Sequence, residues 1–171
     1  MTTAPAHFVT PARDTPVRTR GPVVALVLLA PLLGEVVSGA TRLSYLFAYV
    51  PEVMMWGCGA LLIRETVRRW GGGWRSMLPL ALALSVWEEF IVQQTSLAPF
   101  PWPGAVARYG RFAGVNWTWF LFMLAFESMT IVLVPVRLVE LLFPRAAART
   151  WLGRRGLAVA GTVFLLGSYV A

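Results

Sequence analysis

The chain contains no lysine, one cysteine, one histidine and one aspartate among its 171 residues. Each scarcity removes a class of chemistry. With Cys58 alone there is no intrachain disulfide and no CxxC zinc site. His7 lies in the N-terminal tail, which excludes a His-based metal site or a Ser-His triad inside a membrane. All fifteen basic residues are therefore Arg, a bias that suits a GC-rich bacterial genome. No phosphate loop, nucleotide fingerprint, internal repeat or soluble domain is evident.

What the chain does have is apolar surface. Hydrophobic residues make up 57% of it and the mean hydropathy is +0.65, whereas soluble domains are ~45–50% apolar. The net charge of +7 could suit nucleic acid, but most of the Arg residues flank apolar runs. They read as membrane-topology signals, and no nucleic-acid partner is expected.

The expected fold is an all-α polytopic membrane protein with four to five transmembrane helices. Residues 1–20 read as a disordered cytoplasmic tail and 21–171 as one helical domain. The apolar runs fall at about 21–39, 50–70, 77–97, 114–143 and 156–171. The last has 16 residues, short of the ~20 a crossing helix needs, so it either spans poorly or belongs to a longer chain. Arg18 and Arg20 before an apolar run also resemble a signal peptide with cleavage near Ser38-Gly39-Ala40, but Pro31 and Glu35 interrupt that run. Residues 98–113, with Pro99-Phe100-Pro101-Trp102-Pro103-Gly104, read as a loop. Ten Arg residues sit in the tail and the second and fourth loops, against Arg42, Arg108 and Arg111 in the first and third. That asymmetry places the N-terminus in the cytoplasm and the chain in the inner (plasma) membrane. Trp70, Trp74 and Trp151 mark one interface, and Trp102, Trp117 and Trp119 the other.

Six of the seven Glu residues lie in or at the ends of spans, and Glu140 lies near an end. Spacing pairs Glu65 with Arg68 and Arg69, Glu140 with Arg137, and Glu35 with Arg42 near the outer surface. Arg64 and Arg137 are placed to snorkel to the cytoplasmic side. Glu88, Glu89 and Glu127 differ: they fall at similar depth on adjacent spans with no Arg beside them. Each charged carboxylate at mid-bilayer costs roughly 2.5–3.5 kcal/mol. Facing one another they cannot all be ionised in a dry site. They hold protons, bind a cation, or line a wet cavity. On a helix Ser85, Glu89, Gln93 and Ser96 form one polar stripe, and Ser128 and Thr130 lie on the next span. The bland alternative is a protonated Glu cluster gluing helices together.

The stretch Trp87-Glu88-Glu89-Phe90-Ile91-Val92-Gln93 resembles the first motif of the CAAX protease and bacteriocin-processing (CPBP) family of intramembrane proteases, two adjacent glutamates with Arg four residues on. Gln93 stands at the Arg position. Met123-Leu124-Ala125-Phe126-Glu127 resembles the second motif, with Glu127 where the family has His. The third motif has no counterpart. The resemblance covers about residues 50–143, and uncharacterised bacterial multi-pass proteins share further segments of it. It implies a Glu that activates water, with Glu88, Glu89 and Glu127 as the catalytic candidates and Ser85, Gln93 and Asn116 as supporting polar groups. No cofactor or resident metal is implied. Three readings stand: a protease-like scaffold, inactive or altered in chemistry, that meets a membrane-embedded peptide; a proton- or cation-linked permease whose carboxylates suit Mg²⁺ or Ca²⁺; and a structural subunit with Gly57 and Gly59 at helix contacts.

Overall fold

A computed structural model describes residues 19–98 and 109–170. The expected disordered tail with His7, Arg13 and Arg18, the heart of the proline-rich loop with Trp102 and Arg108, and Ala171 lie outside the described residues. Among the described residues the fold is all-α apart from one short hairpin. Its helices are α1 (Arg20–Pro31), α2 (Tyr49–Glu52), α3 (Cys58–Arg69), α4 (Leu78–Trp87), α5 (Trp117–Glu127), α6 (Val134–Leu142), α7 (Pro144–Ala147) and α8 (Arg154–Val170). Strands β1 (Arg111–Phe112) and β2 (Val115–Asn116) pair antiparallel.

Several helices join through π-helical turns, at Leu32–Val36, Val53–Gly57, Glu88–Val92 and Ser128–Leu133. The continuous rods are therefore 20–36, 49–69, 78–92 and 117–142. Three of these turns have a proline within two residues, Pro31, Pro51 and Pro135. A proline in a helix loses one hydrogen bond and clashes with the carbonyl four residues back. Widening the helix beside it absorbs the extra room. The rod 49–69 stops by a Schellman motif: Gly71 sits at φ +71°, Gly72 N donates to Val67 O at 2.9 Å and Gly71 N to Arg68 O at 3.3 Å.

The rods alternate in direction. Gly21 lies against Phe143 and Gly34 against Ile131, so 20–36 runs antiparallel to 117–142. Gly57 lies against the Val27 backbone, and Gly167 of α8 against Met54 and Met55. The rod 49–69 is thus central, flanked by α1 and α8, with α4 and α6 also in contact. Trp56, Met55, Leu26, Met77 and Ile131 fill the apolar core.

Five expected apolar runs become five helical stretches, with two differences. The rod 78–92 is shorter than the expected 77–97, because the chain turns at Gln94, φ +57°. The hairpin occupies residues expected as loop and span start. By length and composition, one helix among the described residues qualifies to cross a membrane, Trp117–Leu142. The rods 20–36, 78–92 and 154–170 fall short of the ~20 residues required, and 49–69 carries Glu52, Arg64, Glu65, Arg68 and Arg69.

The expected Glu65–Arg69 pair forms, with Arg69 Nη2 3.9 Å from Glu65 Oε2, but the other ion pairs depart from the spacing rule. Arg64 does not snorkel; it is fully buried. Its guanidinium donates to Glu65 Oε1 at 2.7 Å, Glu140 Oε1 at 3.2 Å and the carbonyls of Ala147 and Arg149 at 2.8 and 3.0 Å. The Trp151 ring lies 3.3 Å from it. Arg68 turns away from Glu65 and forks onto both Glu140 oxygens at 2.7 and 2.8 Å. Glu65 instead accepts from the backbone N–H groups of Trp151 and Leu152. Arg137 and Arg42 are exposed and make no ion pair among the described residues. Same-helix pairs are worth only ~0.2–0.5 kcal/mol, while a buried guanidinium needs every donor matched, and only the folded bundle supplies that many acceptors.

Candidate functional site

The Glu pair lies in the π-helical turn Glu88–Val92, closed by Gln93 N donating to Glu88 O at 3.1 Å. The wider turn lets two neighbours on one helix both face inward: Glu88 is 1% exposed and Glu89 0%. Glu127 ends α5, 2% exposed, where the turn Ser128–Leu133 begins. One carboxylate oxygen from each of Glu88, Glu89 and Glu127 can be chosen so that all lie within 4.8 Å of one another. The depth matching made along the sequence thus corresponds to a real convergence of side chains.

The three acids are not equivalent. Glu89 is held by hydroxyls. Thr95 Oγ1 donates to its two oxygens, both at 2.8 Å, and Ser96 Oγ also donates to Oε2. Trp119 Nε1 donates in turn to Thr95 Oγ1 at 3.0 Å. Glu88 Oε2 and Glu127 Oε2 are buried with no hydrogen-bond partner among the described residues. Arg64, the fully buried guanidinium, is committed to Glu65 and Glu140.

A cavity of about 510 Å³ adjoins the cluster. Glu88 and Glu127 line it, with Glu35, Gln93, Thr95, Trp119, Phe122 and Phe126. It opens toward Ser38, Gly39 and Ala40, at the end of the bundle opposite the Arg64 network. A second cavity of about 370 Å³, lined by Trp74, Met77, Met129 and Glu140, shares no lining residue with it. Ser85 and Ser128 lie 3.3 Å apart beneath the acids.

Of the supporting residues, Gln93 is exposed at the cavity wall and is not on a helical stripe with Glu89. The turn after Val92 breaks that stripe but folds Ser96 back onto Glu89 by a different route. Asn116 is a cap. Its Oδ1 accepts from Trp119 N at 3.1 Å and its own N donates to Ser96 O at 2.9 Å. Thr130 bonds back to Phe126 O.

Sequence reasoning missed Glu35 as a member. Instead of pairing with Arg42 it faces the cavity, with Thr41 bridging it to Glu52: Thr41 Oγ1 lies 2.5 Å from Glu52 Oε1 and 3.5 Å from Glu35 Oε2. The signal was available. On the expected runs 21–39 and 114–143, Glu35 lies about fourteen residues from the start and Glu127 about sixteen from the end of the antiparallel one, close to the same depth.

Together these features define a helical bundle with a buried acid cluster beside a cavity. Comparison with protein-family models, curated proteins and solved structures returns no match.

Proposed function

We propose that this chain is a multi-pass α-helical protein of a bacterial inner membrane, N-terminus cytoplasmic, on a CPBP-like scaffold, and that its acid cluster binds a small cation or proton in a permease-type function. The bundle's polarity supports the membrane reading. Leu28, Val50, Val86, Leu121 and Leu165 point outward from five different rods, while Arg64, Glu65, Glu88, Glu89, Glu127 and Glu140 are buried. Ionisable side chains facing the interior and apolar ones facing out is the pattern of a bundle in lipid. Rods of 15–17 residues fit a locally thinned bilayer.

The observation that carries the functional reading is the convergence of three buried carboxylates with Arg64 committed elsewhere. Vesicles reconstituted with the purified chain and loaded with proton- and cation-sensitive dyes test it. A cation- or proton-driven signal is expected from the native chain and from Arg137→Gln, and its loss from Glu88→Gln and Glu127→Gln. Equal signals from the native chain, both Glu variants and protein-free vesicles overturn the reading.

One observation favours a second reading, a Glu-dependent membrane hydrolase. The cavity beside Glu88 has room for a peptide segment, with Glu127 at the motif position that holds His in the family it resembles. Cleavage of a membrane-embedded reporter, lost in Glu88→Gln, would support it over the permease. A carboxylate there would repel a developing oxyanion unless neutralised, so the permease reading is preferred.

A further inference from the structure

We infer that Glu88, Glu89 and Glu127 together ligate one hard divalent cation of the Mg²⁺/Ca²⁺ class, reached through the Glu35-lined cavity. This rests on the reading of the acid cluster as the working centre and names its ligand. Three observations converge on it.

The first is spacing. Ligands on opposite sides of Ca²⁺ lie about 4.6–5.2 Å apart, and on Mg²⁺ about 4.0–4.2 Å. Oxygens from the three acids all lie within 4.8 Å of one another, so one ion can touch all three with little movement. The second is the orphaned acceptors. Glu88 Oε2 and Glu127 Oε2 are buried with no hydrogen-bond partner among the described residues, the two side chains otherwise having each other and Ser85, and both line the cavity. A buried acceptor left unmade is costly, and a cation satisfies both at once. The third is the contrast with Glu89, whose oxygens are oriented by Thr95 and Ser96. Hydroxyls that fix a ligating carboxylate are what a metal site places behind its ligands.

Ligand type selects the ion. The cluster offers oxygen alone, with neither thiolate nor imidazole, which favours hard cations over Zn²⁺ or Cu⁺. Three carboxylates also balance a divalent charge better than a monovalent one. Glu35 on the cavity wall, joined through Thr41 to Glu52, adds negative potential along the approach.

Terbium is a hard oxygen-seeking surrogate whose emission is sensitised by a nearby indole, and Trp119 is one hydrogen bond from Thr95. The detergent-solubilised full chain, excited at tryptophan, should sensitise Tb³⁺ emission that excess Ca²⁺ or Mg²⁺ displaces. Glu88→Gln and Glu127→Gln should abolish the displaceable signal while retaining helicity. Thr95→Val should weaken apparent affinity by about 10–100-fold as a positioning change. Trp119→Phe should dim the emission while leaving a displaceable site, which keeps the test decisive if the Gln variants do not fold. Absence of emission above detergent alone, or emission unchanged in both Gln variants, overturns the inference. Proton or Na⁺ flux in vesicles without Tb³⁺ binding overturns the divalent ligand and leaves the permease reading standing. Tb³⁺ binding without flux does the reverse.

Discussion

Arg64 and Glu127 show how differently one bundle treats buried charge. Arg64 has acceptors on several sides: two carboxylates, three backbone carbonyls and an indole face. They come from the rods 49–69 and 117–142 and from the segment just before α8, so this guanidinium locks three parts of the chain at one end. Removing one partner from such a network leaves charges uncompensated and typically costs 3–5 kcal/mol. Arg64→Met should therefore lower the unfolding free energy in detergent by about 3–5 kcal/mol. Arg64→Lys should recover little of it, since an ammonium cannot reproduce the planar fork. A melt of Arg64→Lys matching that of the native chain would show that charge alone, not the fork, holds this end.

At the scale of elements, small residues set how closely the rods approach. Gly57 sits on the backbone of Val27; a Cβ there would stand 3.0 Å from Val27 Cα and closer still to the carbonyl oxygen. Backbone cannot swing aside, so Gly57→Ala should push α1 off the central rod and cost about 1–3 kcal/mol. Gly59 faces only the ends of Leu84 and Phe164, 3.1 and 3.3 Å from the same virtual atom. Those side chains can yield, and Ala gains helix propensity. Gly59→Ala should melt within about 0.5 kcal/mol of the native chain, as mild substitutions do. Equal losses in the two variants would contradict this packing. Both glycines were legible as contact residues, as were the centres of all five apolar stretches, since hydropathy records which segments avoid water. The π-helical turns were not legible. Some lie beside a proline, but the turn at Glu88–Val92 does not, and periodicity at 3.6 residues does not report a local widening. That widening brings Glu88 and Glu89 inward together. The stripe through Gln93 was misplaced because the rod ends at Val92. Spacing on one helix also could not find most of Arg64's partners: apart from its neighbour Glu65, they lie more than seventy residues away in the chain.

For the whole molecule, the question is which end of the bundle faces which side of a membrane. The Arg64 network, with Arg69, Arg75, Arg145, Arg149 and Arg154 nearby, marks one end. The cavity mouth at Ser38–Ala40 and the β1–β2 hairpin mark the other, where Arg111 is fixed to the carbonyls of Ala98 and Gly114. On the proposed membrane reading, the excess of Arg at the first end would assign it to the cytoplasm. Under that proposal the acid cluster would be served from outside, and an ion entering there would meet Glu52 and Glu35 first. Cys58 is the single cysteine, so a Cys58→Ala background gives a clean chain for placing one thiol at a time. Ala40 and Arg145 are both exposed and lie at opposite ends. In intact spheroplasts a membrane-impermeant maleimide should label Ala40→Cys at once, and Arg145→Cys only after permeabilisation. The reverse pattern would invert the orientation and place the cavity on the cytoplasmic side. Equal labelling of both in intact cells, or recovery of the chain in the soluble fraction, would remove the bilayer from the account. The outward-facing leucines and valines would then have to be covered by another protein, and a lipid-embedded acid centre would have no basis.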